Sequence, residues 1–117
     1  MSSDATVTID ERTQAAVQAF LRLASVRYEI AGAILFGSRA RGDQREDSDA
    51  DLMILLRGAH QGLLPTKLDM ADLAFDVLLD TEINISPLPV WLDQWENPET
   101  FSNPALLHSI AREGIPL

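Results

Sequence analysis

The chain has 117 residues, 46% of them apolar, no cysteine and a formal net charge of −9. That length is one domain with enough apolar material for its own core, and it leaves out disulfides and thiolate metal sites. The negative balance excludes a broad surface gripping nucleic acid through its phosphates; local arginines and metal ions can still invert the field at a nucleotide site, and a basic protein partner suits the charge.

The first residues, Met1-Ser2-Ser3-Asp4, lack a basic region followed by an apolar run. No apolar stretch approaches the ~20 residues needed to cross a bilayer. A cytoplasmic protein with a single domain over residues 1–117 is expected. The first helix is expected to begin near Thr8, where Thr8-Ile9-Asp10-Glu11 has capping-box spacing. Val17, Leu21, Ala24 and Tyr28 then recur as one helical stripe that stops before Ala31-Gly32. Ala33-Ile34-Leu35-Phe36 is too short for a helix and reads as a buried strand closed by Gly37.

Residues 37–48 have no apolar periodicity, and Ala50 to Leu56 reads as a second strand before Arg57-Gly58. A second long helix starts at about Leu63 or Leu64, with Pro65 in its first turn, and is expected to bury Leu64, Leu68, Ala71, Phe75 and Leu78. Ile83-Asn84-Ile85-Ser86 reads as a third strand ended by Pro87 and Pro89. Asn103-Pro104 caps a last helix carrying Leu106, Leu107 and Ile110 and stopping at Gly114. The order is that of an α+β domain, a small mixed sheet packed with helices.

The chemistry concentrates in Gly37-Ser38-Arg39-Ala40-Arg41-Gly42 and Ser48-Asp49-Ala50-Asp51-Leu52. Glycine after a strand lets backbone N–H groups approach an anion. Asp49 and Asp51 are two apart where a strand begins, so their carboxylates share a face. Two such groups repel unless a cation holds them, and Mg²⁺ is the hard ion that takes carboxylate and phosphate oxygens. A paired-metal site of that kind activates an attacking group and stabilises a leaving pyrophosphate.

Gly-Ser followed by Asp-x-Asp between two apolar strands resembles the DNA polymerase β-like nucleotidyltransferase superfamily. GSRARG with SDADL is similar to its minimal nucleotidyltransferase branch. The resemblance implies a nucleotidyltransferase fold, Mg²⁺ at Asp49 and Asp51 as catalytic carboxylates, and triphosphate contacts at Gly37 and Ser38. Arg39 and Arg41 are further phosphate candidates because guanidinium forks match phosphate, and Ser48 completes the nucleotide-binding set. The alternative for both arginines is a solvated turn paired with Asp43, Glu46 and Asp47. The superfamily generally adds a third carboxylate from a later strand, and Ile83-Asn84-Ile85-Ser86 has none; Asp80 and Glu82 lie just before it.

Proteins of this branch typically pair with a HEPN-type toxin, a ribonuclease, for which the nucleotidyltransferase is the antitoxin. The resemblance therefore implies transfer of AMP from ATP to a hydroxyl of that partner. Two other readings stay open: a weakened antitoxin that acts by contact, and a small-molecule transferase of the aminoglycoside type, for which 117 residues leave little room for an acceptor domain. Asp69, Asp72, Asp76 and Asp80 form one acidic helical stripe, either a docking face for a basic partner or a solvated face. His60 and His108 lack second ligands at metal spacing. Trp91 and Trp95 cover a core edge or an interface.

Overall fold

The computed structural model describes residues 9–42, 45, 48–60 and 62–117. Helix α1 (Glu11–Ala24) begins two residues inside the expected capping box, because Asp10 is the cap: its carboxylate accepts from the Thr13 amide. Thr8, the expected cap, lies outside the described residues. Strand β1 (Ile30–Phe36) runs into the short helix α2 (Ser38–Arg41). Strand β2 (Ala50–Leu56) has the expected bounds, and helix α3 (Leu63–Thr81) crosses over to β3 (Ile85–Trp91). Helix α4 (Leu92–Glu96), a 3-10 turn at Pro98–Thr100, helix α5 (Pro104–Glu113) and a short strand β4 (Ile115–Pro116) complete the chain.

Among the described residues the strands form one four-stranded sheet in the order β3-β2-β1-β4. β1 is antiparallel to β2 and β4, whereas β2 and β3 are parallel, as a helical crossover allows. β2 is central, and Leu52 to Leu56 are all apolar and buried because both faces of the strand are covered. Leu52, Ile54 and Leu56 join Ala16, Phe20, Met70 and Val77 on the side of α1 and α3. Met53 and Leu55 join Val90, Phe101, Leu107 and Ile110 on the side of α5.

β3 extends through Pro87 and Pro89 instead of ending at them. It is an edge strand with one paired side, and prolines two apart remove donors from a single side only. β4 was not expected from the sequence; Gly114 permits it, since a Cβ there would press on the Ile34 side chain and the Leu35 carbonyl.

The orientation of α3 departs most from expectation. Thr66, Met70, Leu73, Ala74 and Val77 are its buried residues. Leu64, Leu68 and Phe75, expected in the core, stand exposed with Leu79. α3 has apolar residues on two sides, and the sheet with α1 takes the side bearing the smaller ones.

Candidate active site

The loop between β1 and β2 meets the sheet at one corner, where Asp51 on β2 stands between Phe36 of β1 and Ser86 of β3 in the strand register. Gly37 turns the chain out of β1 with φ 77° and ψ −159°, a conformation open essentially to glycine alone. A side chain there would also collide with the Asp51 carboxylate, whose Cγ lies 3.2 Å from an ideal Cβ position. The glycine thus serves two purposes: it makes the turn, and it leaves the space that Asp51 fills.

Asp51 is half-buried and Asp49, just ahead of β2, is exposed. Burial pushes the Asp51 carboxyl above the ordinary range; the charge of Asp49 adds to the rise and Arg41 opposes it. The last two influences put Asp49 and Arg41 within electrostatic reach of Asp51. Arg41 is exposed, and with Phe36, Gly37, Leu106, Ser109, Ile110 and Glu113 it lines a cleft of about 260 Å³ between the α2 turn and α5. Ser38 is the first residue of α2, and the Gly37 carbonyl accepts from the Ala40 and Arg41 amides.

Arg39 departs from its expected place as an open phosphate clamp. It is 5% exposed, donates from Nη1 to the Thr13 hydroxyl at 2.9 Å and from Nε to the Ser48 carbonyl at 2.9 Å, and lies 4.0 Å from Asp10. The Thr13 hydroxyl donates in turn to Asp10 at 2.6 Å. Burial would raise the Asp10 carboxyl, but the Thr13 hydroxyl and amide and the Arg39 charge together hold it below the ordinary range. Arg39 therefore fastens the segment ahead of Asp49 to the N-terminus of α1. Asp10 and Thr13 were not read as site residues; their three-residue spacing signals a helix cap, and nothing in it points to a contact with residue 39.

Ser48 closes a turn, its Oγ accepting from the Arg45 amide at 2.9 Å. The partners expected for the arginines at Asp43, Glu46 and Asp47 lie outside the described residues. His60 is hydrogen-bonded to Asp93 at 2.7 Å and stacks by Trp91, far along β2 from Asp51. That bond is the main reason the Asp93 carboxyl sits below the ordinary range. Asp80 and Glu82 are exposed, Glu82 as the left-handed C-cap of α3. Among the described residues, no three His, Cys, Asp or Glu side chains group to hold a metal ion.

A mixed sheet between helix layers, with Gly-Ser at the end of one strand and Asp-x-Asp at the start of its neighbour, defines a nucleotidyltransferase-type domain. The family described as "Polymerase beta, Nucleotidyltransferase" matches residues 21–90, and the chain belongs to it. The match runs from the last turn of α1 to β3 and so contains Gly37, Ser38, Asp49 and Asp51. The fold is also similar to that of a candidate nucleotidyltransferase from Sulfolobus solfataricus, whose crystal structure is known at 1.40 Å. The two are 18% identical, over 74% of this chain and 73% of that one, with a TM-score of 0.54. No curated protein matches the sequence. Among the described residues, no helix is long and apolar enough to cross a membrane.

Proposed function

We propose that the chain binds Mg²⁺–ATP at the Gly37 corner and transfers AMP to a hydroxyl group of a protein partner. The observation that carries the nucleotide site is the seating of the Asp51 carboxylate against Gly37, with Asp49 and Arg41 in electrostatic reach. The donor set fits the ion: two carboxylates offer hard oxygens, and a triphosphate and water supply the remainder. Bound there, the ion would offset the phosphate charge and lower the barrier to pyrophosphate departure. Gly37 and Ser38 would present amides and a hydroxyl to the phosphates, and Arg41 a guanidinium. The acceptor oxygen attacks the α-phosphorus in line as the bond to the bridging oxygen breaks; pyrophosphate leaves, and the acceptor proton passes to solvent at the exposed side.

The partner belongs to the same proposal. Resemblance to minimal nucleotidyltransferases supports a HEPN-type toxin as acceptor and an antitoxin role in the cytoplasm, and the net charge of −9 suits a basic partner. Incubation with α-labelled ATP, Mg²⁺ and the protein encoded beside this one tests it. Label on the partner supports transfer, and a complex without label supports neutralisation by contact.

One observation favours the contact reading. Ser86 is the β3 residue in register with Asp51, and the superfamily generally supplies a third carboxylate from this later strand. If that vacancy limits catalysis, Ser86→Asp raises transfer at ordinary Mg²⁺; an unchanged low rate would place the limitation elsewhere.

A further inference from the structure

α3 has two apolar sides, and among the described residues the core takes one. Thr66, Met70, Leu73, Ala74 and Val77 are buried. Turned roughly half a revolution away at ~100° per residue, Leu64, Leu68, Phe75 and Leu79 form a second row. They are 65%, 59%, 57% and 69% exposed. A single exposed leucine is ordinary, but four large apolar side chains in line along one helix mark a contact surface.

One flank of that row carries Asp72 and Asp76, both exposed, and the acidic stripe continues through Asp80 toward the buried side. Asp69, on the same stripe, is already engaged by Arg27 and by the Tyr28 hydroxyl at 2.5 Å. Lys67 is the helix's one cationic residue. We propose that this face docks an amphipathic helix of a basic protein partner, with leucine-type side chains on the apolar row and Lys or Arg along the aspartates. A second copy is the poorer occupant. In an antiparallel pair about a two-fold axis the same flanks meet, which sets Asp72 and Asp76 against themselves. In a parallel pair they meet a flank whose sole cation is Lys67, and each copy brings a charge of −9. A basic helix satisfies both the apolar row and the acidic flank, the arrangement by which charged flanks select partners in paired helices.

The inference goes beyond the nucleotide site and does not depend on it. Two synthetic helical peptides of about 18 residues, sharing one leucine stripe but flanked by Lys/Arg or by Glu, are titrated into the full chain by calorimetry. The basic peptide is expected to bind at least about tenfold more tightly, with the difference shrinking in high salt. Leu68→Ser/Phe75→Ser should abolish its binding while leaving Mg²⁺–ATP binding unchanged, and Asp72→Asn/Asp76→Asn should bring the two peptides within about twofold. Sedimentation of the chain alone should give a monomer at micromolar concentration. Equal affinity for both peptides, no binding of either, or a dimer dissociated by Phe75→Ser would overturn the proposal.

Discussion

The corner at Gly37 and the outer side of α3 both depart from ordinary surface chemistry, in opposite directions. At the corner a carboxylate is partly withdrawn from water beside a second carboxylate, an arrangement that costs electrostatic energy in the isolated chain. On α3, large apolar side chains remain in water. The corner is held by a glycine-only backbone conformation and by the buried Arg39 network, so the fold itself enforces it. Among the described residues nothing comparable enforces the outer side of α3, where the large apolar side chains are mostly exposed. Substitutions should therefore couple to folding at the corner and leave folding alone on α3.

The largest expected effect is at Arg39. Arg39→Met strips the donor from the buried Thr13 hydroxyl and from the Ser48 carbonyl, and should cost about 3 kcal/mol in denaturant unfolding. A loss below about 1 kcal/mol would show that the network contributes little. Gly37→Ala comes next at about 2 kcal/mol, from backbone strain and displacement of Asp51, with loss of nucleotide binding. If Gly37→Ala unfolds like the parent, the corner is not enforced by this turn. Leu68→Ser/Phe75→Ser should change stability by no more than about 0.5 kcal/mol, as at other exposed positions. A cost of about 2 kcal/mol or more would mean that the row packs within the chain after all.

The smallest effect lies on the flank where Asp69 is occupied. Burial and the Asp69 hydrogen bond and charge push the Tyr28 hydroxyl up to about 12 from an ordinary 10.0. A raised value stabilises the fold below the unfolded group's titration, and the benefit fades as pH climbs from about 10 to about 12. Tyr28→Phe should flatten that part of the stability–pH profile; an identical alkaline decline would remove Tyr28 from the account.

Different kinds of signal explain which features were legible beforehand. The Gly37 and Asp51 pairing was readable because backbone freedom and charge each require particular residue types at particular spacings. β2 was readable at both ends, being apolar between polar loops, and α5 was readable from Asn103-Pro104, whose Asn103 carbonyl oxygen accepts from Leu106. α3 was misoriented because its sequence contains two stripes at helical spacing, and periodicity cannot say which one meets the sheet. The deciding fact is tertiary: Met70, Leu73, Ala74 and Val77 are the α3 residues that join the core shared by α1 and the sheet. β3 looked shorter than it is because proline forbids a central strand but not a free edge. Arg39 looked like a phosphate ligand because its burial depends on Asp10 and Thr13, which are distant in sequence.

Calorimetric titration of Mg²⁺–ATP into the parent chain and into Asp49→Asn/Asp51→Asn tests the central claim most directly. The account predicts saturable binding by the parent and none by the variant, with the variant as stable as the parent or slightly more so once the carboxylate repulsion is relieved. Equal binding by both proteins would contradict it and place the nucleotide away from the Gly37 corner.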